Sequence, residues 1–300
     1  MRKSLMANFV EQLVQLRYRK KSPEEVEEFL NKKSQHSKPQ YSLPIYLRFK
    51  CDITEKDMDN QPVYYLNESS DSDTVIIYLH GGAFVDEITA FHWKMIDRIA
   101  YKTKCHMIVP LYELMPYANH DDAFKFVEDV YNSLLKRFPD KKFILMGDSA
   151  GGGLALSLSE YFATENIPTP DKLILFSPWL DVSMSNPEMD DFVDRDIMLS
   201  PPGLVRYGIH WAGDLDTRDY RVSPMFGDVN GLDNVDLFVG SEEIFYPDIS
   251  QFYDKLKKAG KNCNIYVGEN LGHDFPLLPT VEGRRAIDEA INDILEMEGA

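Results

Sequence analysis

The chain has 300 residues, of which 44% are hydrophobic, and its 32 basic and 49 acidic residues give a formal net charge of −17 at pH 7. Its length suits one large α/β domain with an appendage, and its acidity argues against nucleic acid as a partner because a phosphate backbone would be repelled. The three cysteines are far apart and show no CxxC spacing, so we expect a reduced, cytoplasmic protein without a zinc cluster or a disulfide framework.

Two helices are predicted in the first part of the chain. Four large apolar side chains recur there at helical spacing and form one stripe that should dock on the rest of the fold: Leu5, Phe9, Leu13 and Leu16. Ser22, Pro23 and Glu25 form a capping box that begins the second helix. We interpret residues 1–45 as cap helices. No segment approaches the ~18 apolar residues of a membrane span, so none is expected.

From about residue 45, short apolar runs alternate with helical stretches. The runs are residues 74–79, 107–110, 143–146, 173–176, 237–239 and 265–267, and the helical stretches include 120–137 and 282–296. This alternation is typical of parallel strands covered by helices on both faces. We therefore predict an α/β catalytic domain over residues 46–181 and 223–300, with a mostly parallel sheet. Residues 182–222 break the rhythm and are interpreted as an insertion that completes a helical cap.

Residues 147–151 have the sequence Gly-Asp-Ser-Ala-Gly, which fits the G-x-S-x-G nucleophile elbow. The motif lies directly after a predicted strand and before an apolar helix, as that turn requires. A glycine-rich turn with an idle serine is the alternative, because the string alone is a weak signal. The context favours Ser149 as a nucleophile.

The sequence His-Gly-Gly-Ala-Phe at 80–84 follows the strongest predicted strand. Acyl transfer builds negative charge on a carbonyl oxygen, and each fixed N–H donor aimed at that charge contributes about 3 to 4 kcal/mol. We predict that the backbone N–H groups of Gly82, Ala83 and Ala150 form this oxyanion hole. His80 is expected to position the loop rather than transfer protons.

His273 is the predicted general base, because it lies on a loop after a late strand and a serine needs a neutral imidazole to accept its proton. Five other histidines lack this setting and are interpreted as surface or packing residues: His36, His92, His106, His120 and His210. The acid that orients His273 should follow the strand at 237–239. Three carboxylates compete there, and Glu243 is preferred over Glu242 and Asp248. The chain order of nucleophile, acid and base is the one expected of a nucleophile-elbow hydrolase.

Four motifs together resemble the hormone-sensitive-lipase-like esterases, also called bacterial family IV lipolytic enzymes. They are HGGAF at 80–84, GDSAGGGLAL at 147–156, SPWLD at 177–181 and SPMFG at 223–227. The resemblance covers the chain from about residue 60 onward. It implies an eight-stranded α/β-hydrolase fold with a helical cap and hydrolysis of short- to medium-chain acyl esters without a cofactor or metal. It is also compatible with a homodimer.

Two positions depart from the pattern of that family. Ala83 stands where the family usually has a third glycine, and Glu243 stands where it usually has an aspartate followed by Pro-Leu. A backbone N–H makes the oxyanion hole, so alanine can keep the role. A loop can absorb the extra methylene of a glutamate.

The predicted function is that of a serine carboxylic-ester hydrolase that works through an acyl-enzyme intermediate on a small-molecule ester. Four side chains are candidate walls of an apolar substrate pocket, with plain core packing as the alternative for each: Phe84, Tyr207, Trp211 and Phe275. A deacetylase or amide hydrolase acting on a specific metabolite or sugar is one alternative function. A non-catalytic small-molecule-binding protein on the same scaffold is another.

Overall fold

A computed structural model of the chain describes residues 3–17, 20–38 and 40–299, and the side chains of residues 14, 16 and 17 lie outside that description. Eight strands form one sheet in the order β1-β2-β4-β3-β5-β6-β7-β8. The strands are β1 (Ile53–Met58), β2 (Gln61–Leu66), β3 (Thr74–Leu79), β4 (His106–Pro110), β5 (Lys142–Asp148), β6 (Lys172–Phe176), β7 (Val235–Gly240) and β8 (Cys263–Gly268).

Strands β3 to β8 are all parallel, which confirms the predicted mostly parallel sheet. The antiparallel hairpin of β1 and β2 is an addition that the apolar runs do not predict. Its turn residues Asp59 and Asn60 both have positive φ, the backbone conformation of a tight two-residue hairpin. The Asp59-Asn60 pair is the sequence feature from which this hairpin could have been predicted.

The described helices are α1 (Leu5–Arg17), α2 (Pro23–Ser34), α3 (Ala90–Thr103), α4 (His120–Arg137), α5 (Ser149–Thr164), α6 (Pro201–Ala212), α7 (Tyr246–Lys258) and α8 (Val281–Glu298). Successive side chains along each strand point to opposite faces of the sheet and belong to two buried clusters. One cluster contains residues of α4, α5 and α7, and the other contains residues of α3 and α8. The sheet is therefore covered on both faces, and the carboxyl ends of its parallel strands meet at one edge.

Helix α1 docks differently from the prediction. Its predicted docking stripe faces outward, with Leu5, Phe9 and Leu13 at 88%, 58% and 51% exposure, and the side chain of Leu16 lies outside the described residues. The helix is instead attached to α8, where the N–H and hydroxyl of Ser4 both donate to Glu282. Among the described side chains of α1, the buried ones are Ala7 and Val10.

Helices α2 and α6 pack against each other and form a cap. The predicted capping box of α2 is confirmed, because Ser22 accepts from the N–H of Glu25 and the Glu25 carboxylate accepts from the N–H of Ser22. The buried side chains Val26 and Leu30 of α2 join the same cluster as Leu204 of α6. A segment from before the sheet and the insertion after β6 thus cover one end of the molecule together. Within the described residues, no helix is long and apolar enough to span a membrane.

Candidate active site

Ser149 lies at the sharp turn between β5 and α5. Its backbone has φ 49°, a left-handed conformation that is rare for a residue with a side chain. The turn is tight enough that a Cβ on Gly151 would lie 2.2 Å from the carbonyl oxygen of Leu79, and one on Gly147 would lie 2.6 Å from that of Gly151. Only glycine fits at both flanking positions, and the elbow holds the hydroxyl at the first turn of α5.

The structure brings His273 to this hydroxyl from the loop between β8 and α8. His273 Nε2 lies 2.9 Å from Ser149 Oγ, and its Nδ1 lies 3.2 Å from Glu243 Oε2. All three side chains are buried, at 7% exposure or less. A serine hydroxyl, an imidazole and a carboxylate are therefore connected in one chain of contacts, the arrangement that moves a proton away from a serine as it attacks.

Of the three carboxylates that compete in the sequence, Glu243 is the one beside His273. Glu242 pairs with Arg195 instead, and Asp248 accepts from the amide of Asn186. The Oε2 atom of Glu243 also accepts a 2.8 Å hydrogen bond from the hydroxyl of Ser177, which directly follows β6. Sequence reasoning did not identify Ser177, although it begins the SPWLD motif.

The cap insertion is bonded to the loop that carries Glu243. Asp196 is 1% exposed, and its Oδ2 accepts a 3.0 Å bond from the N–H of Ile244, the residue after the acid. Its other oxygen accepts from the N–H groups of Met198 and Leu199 within the cap. Neighbouring Arg195 donates to the backbone of the same loop at Ser241 O. The cap thus helps to fix the position of the carboxylate.

The predicted oxyanion loop has an unusual backbone. Gly82, Ala83 and Phe84 have φ values of 119°, 51° and 59°, so three consecutive residues lie in the left-handed region. Ala150 is the second residue of α5, where a backbone N–H has no acceptor within the helix. The carbonyl oxygen of Gly82 is used internally, since it accepts from the N–H groups of Val85 and Asp86. The loop is therefore a fixed turn next to the nucleophile.

Asp148, the residue before the nucleophile, connects this loop to the elbow. Its Oδ1 accepts from the N–H of Gly81 at 2.9 Å and from the hydroxyl of Tyr78, and its Oδ2 lies 3.1 Å from His92 Nε2. The other ring nitrogen of His92 accepts from the N–H of Thr89, which leaves Nε2–H to donate to Asp148. The interpretation of His92 as a surface or packing residue was therefore incomplete. Its position three residues after a helix-capping threonine was the only local signal.

His80 occupies the positioning role expected of it. Its Nδ1 lies 2.7 Å from the carbonyl oxygen of Gly81, and its ring stacks on Tyr112 at 4.8 Å. The hydroxyl of Tyr112 donates to the carbonyl of His80. Burial lowers the pKa of His80 to about 4, so the ring is neutral and makes no charged contact with the loop.

Burial and charge act in opposite directions on the imidazole–carboxylate pair. Burial raises the pKa of Glu243 to about 7, against the hydrogen bonds from His273 and Ser177 that favour its ionised form. Burial by itself lowers the pKa of His273, but the adjacent carboxylates of Asp274 and Glu243 outweigh it and raise that pKa well above its ordinary value. The imidazole is thus held in surroundings that favour its protonated state.

Three of the four predicted pocket residues lie together on the cap side of the oxyanion loop. Phe84 and Trp211 stack with their ring centroids 3.7 Å apart, and both are almost fully buried. Tyr207 lies one turn earlier on α6, with its hydroxyl buried and, among the described residues, without a hydrogen-bond partner. Trp179 continues the stack behind Phe84 at 6.0 Å. The rings fill the space beside the loop.

The structure does not bring Phe275 to this group. Its ring packs in the buried cluster on the α3 and α8 face of the sheet. There it lines a separate, mostly apolar cavity of about 260 Å³ with Phe238, Tyr266 and Leu271. Asp274, which lies between His273 and Phe275, has a left-handed backbone with φ 53°. Phe275 as a wall of the substrate pocket thus stays a prediction, and its ring does not join the stack of Phe84 and Trp211.

No group of three or more His, Cys, Asp or Glu side chains that could hold a metal ion is found among the described residues. The chemistry available at the site is that of a hydroxyl, an imidazole, carboxylates and backbone N–H groups.

The chain is similar in sequence to proteins of known kind. A model of the α/β hydrolase fold matches residues 76–277. An esterase of Acinetobacter venetianus is 31% identical over 205 residues, which are 68% of each chain. An acetyl-hydrolase of Streptomyces hygroscopicus is 28% identical over 220 residues, which are 72% of this chain and 73% of that protein.

Solved structures extend the similarity over nearly the whole chain. A Staphylococcus aureus protein assigned as an esterase superposes with a TM-score of 0.87 at 30% identity, over 91% of this chain and 93% of that one. An esterase of the bacterial hormone-sensitive lipase family superposes with a TM-score of 0.81 over 98% of both chains, and at 22% identity that likeness concerns the fold alone.

Proposed function

This chain belongs to the α/β-hydrolase fold family, and we propose that it is a hormone-sensitive-lipase-like esterase that hydrolyses short- to medium-chain acyl esters with Ser149, His273 and Glu243. It is a carboxylic-ester hydrolase by its relatives, so the proposal concerns which residues act and on which esters. The observation that carries it is the 2.9 Å contact between His273 Nε2 and Ser149 Oγ, with Glu243 on the other ring nitrogen.

In the acylation half-reaction, Ser149 Oγ attacks the ester carbonyl while His273 Nε2 takes its proton. The oxygen of the tetrahedral intermediate becomes negative, and the N–H groups of Gly82, Ala83 and Ala150 stabilise it. The imidazolium that has formed is stabilised by Glu243 through Nδ1–H. When the carbon–oxygen bond breaks, Nε2 gives its proton to the departing alcohol.

Deacylation repeats these steps with water. His273 takes a proton from a water molecule as its oxygen attacks the acyl carbonyl, and returns it to Ser149 Oγ when the acyl group leaves as a carboxylic acid. These steps need no cofactor, because Ser149 and water supply the nucleophiles and His273 transfers the protons.

The closed aromatic stack favours a small acyl group. Phe84 directly follows the proposed oxyanion donors, and its ring stacks on Trp211 of the cap. Both rings are buried, which leaves little room for a long acyl chain on that side. Hydrolysis of acetyl esters is therefore the form of the activity that we favour, and three relatives are named for acetyl hydrolysis.

A series of p-nitrophenyl esters of rising acyl length tests the proposal, measured on the wild type and on Ser149→Ala. We expect the highest kcat/KM for acetyl to butyryl esters and loss of nearly all turnover in the variant. Unchanged turnover in Ser149→Ala contradicts the assignment of the nucleophile. A maximum at decanoyl or longer esters contradicts the assignment of the substrate. Matched amides and acetylated sugars in the same assay distinguish an ester hydrolase from an amide hydrolase or sugar deacetylase.

A cytoplasmic location and a homodimer belong to the proposal as well. All three cysteines are free thiols, and two of them, Cys105 and Cys263, are buried. Free thiols fit a reducing compartment. For the dimer, light scattering on the purified protein gives the molar mass directly.

A further inference from the structure

A second carboxylate contacts the catalytic base. Asp274 follows His273 in the chain, and its Oδ2 lies 3.2 Å from His273 Nε2, the same nitrogen that contacts Ser149. The backbone N–H of Asp274 donates to Ser177 Oγ, which itself donates to Glu243. Asp274 thus has two links to the catalytic group. Its backbone N–H is connected to Glu243 through Ser177, and its side chain contacts the imidazole of His273.

Two contacts at Nε2 make opposite demands on the protonation state of the ring. With Nδ1–H directed to Glu243, a neutral imidazole has a lone pair at Nε2, and Ser149 can donate its proton there. An ionised Asp274 disfavours that lone pair and favours a protonated Nε2 through its charge, because the 3.2 Å contact is an ion pair. The imidazolium therefore fits between Glu243 and Asp274, whereas the neutral ring fits between Glu243 and Ser149.

The groups around Asp274 come from its own loop and from four other elements of the fold. They are His273 on its own loop, Glu243 after β7, Asp148 at the end of β5, His92 on α3 and Tyr78 on β3. The cluster contains three carboxylates and two imidazoles. Burial, with the Asp148 charge adding to it, raises the pKa of Asp274, and the rings of His273 and His92 act in the opposite direction.

Since Asp148 already pairs with His92, His273 is the partner left for Asp274. The other oxygen of Asp274, Oδ1, is buried and has no hydrogen-bond partner among the described residues. A carboxylate in that situation gains little elsewhere and depends on the imidazolium for its charge compensation.

We propose that Asp274 is a positioning residue that holds the resting His273 as an imidazolium, so that the esterase becomes active only in alkaline solution, and that it also stabilises the imidazolium formed during acylation. The inference rests on the proposed roles of Ser149 and His273. The resting proton on Nε2 must first pass to solvent. Ser149 Oγ then attacks the ester carbon, its proton moves to Nε2, and the electron pair of the carbonyl π bond moves to oxygen. Asp274 again faces a protonated Nε2 until that proton leaves with the alcohol.

The variant Asp274→Asn tests this directly, because asparagine has nearly the same shape and tolerates the left-handed backbone at φ 53° as well as aspartate does. We expect the acidic limb of the kcat/KM profile to move down by about one pH unit or more, since an opposite charge within hydrogen-bond distance shifts a pKa by one to three units. We also expect the alkaline plateau to fall about tenfold, because the stabilisation of the forming imidazolium is lost. The two profiles should therefore cross.

Asp140→Asn is the matched control, because it removes the same charge from an exposed loop far from the site, and its profile should match the wild type. The rate at which a fluorophosphonate labels Ser149 at each pH is the second readout, since it reports the basicity of His273 without turnover. Asp274→Gly keeps the backbone freedom and serves if the asparagine variant does not fold.

The possible results distinguish a failure of the proposed function from a failure of the role assigned to Asp274. If the wild type shows no Ser149-dependent turnover, the proposed function itself has failed. If the wild type is active and Asp274→Asn only scales the whole profile, without moving the midpoint of turnover or labelling, then the role assigned to Asp274 is wrong. Crossing profiles with a matching shift in labelling support it.

Discussion

Glu243 holds the base with a longer side chain than the aspartate usual in similar enzymes. One of its oxygens, Oε2, serves both His273 and Ser177, while Oε1 has no partner among the described residues. The longer side chain of Glu243 reaches the His273 ring from the loop after β7. An oxygen without a partner raises the cost of ionisation, which agrees in direction with the raised pKa of this group.

Glu243→Gln should lower kcat by about 10³- to 10⁴-fold with little change in KM, because a neutral amide neither compensates the imidazolium nor fixes the correct tautomer. The measurement is steady-state hydrolysis of p-nitrophenyl acetate. Glu242→Gln and Asp248→Asn are the controls, since these carboxylates bond to Arg195 and Asn186 rather than to the base. Near wild-type turnover in Glu243→Gln, with a large loss in a control, overturns the assignment of the acid.

The nucleophile, base and acid could be proposed from the sequence because each lies directly after a recognisable strand. Ser177, Asp148 and Asp274 could not, since their roles depend on distances between loops that are far apart in the chain. The pattern of apolar runs locates strand ends but says nothing about which way a polar side chain after them turns. Phe275 shows the same limit, because its place two residues after His273 did not indicate that its ring packs in the cluster of α3 and α8.

At the scale of secondary-structure elements, hydrogen bonds join the cap to the loop that carries Glu243. Asp196 joins backbone N–H groups of the cap to the N–H of Ile244. A movement of the insertion would therefore displace the backbone next to Glu243. This coupling was not predictable from the sequence, since Asp196 and Ile244 lie 48 residues apart and no motif relates them. The chain order alone did indicate that residues 182–222 lie outside the sheet.

Asp196→Asn should lower kcat about tenfold and leave KM close to that of the wild type. An asparagine can keep its oxygen on the cap, but its amide then faces the N–H of Ile244 and the bond to the acid loop is lost. In a Glu243→Gln background the same change should have no further effect on kcat, because the two residues act through one group. Arg195→Gln breaks a partly exposed ion pair and a bond to the backbone of the same loop at Ser241, so it should lower kcat by less than Asp196→Asn does. Additive losses in the double variant contradict the coupling.

Trp211→Ala should change which esters are preferred. Removing the ring that stacks on Phe84 opens space on the cap side of the oxyanion loop, so kcat/KM for hexanoyl relative to acetyl esters should rise about tenfold. The substitution should also cost about 3 to 5 kcal/mol of stability, measured by chemical denaturation, since a buried tryptophan leaves a large cavity. Ile209→Ala on the exposed side of the same helix is the control. An unchanged acyl-length preference places the acyl group elsewhere.

For the molecule as a whole, the parallel sheet is what assembles the site. The loops after β3, β5, β6, β7 and β8 carry the oxyanion loop, nucleophile, Ser177, acid and base, and all of these strands end at the same edge. Apolar runs in the sequence were enough to predict this sheet because both of its faces are buried. The docking of α1 was not predictable, since the bonds between Ser4 and Glu282 join positions far apart in the chain and the predicted apolar stripe is exposed.

The most direct test of the whole account is covalent labelling with a fluorophosphonate, followed by intact-mass and peptide mass spectrometry and by an esterase assay on the same sample. We expect one adduct per chain, located on Ser149, with ester hydrolysis falling in proportion to labelling, and with much slower labelling in His273→Ala. An adduct on another residue, or full esterase activity in a sample whose Ser149 is completely labelled, would contradict the account.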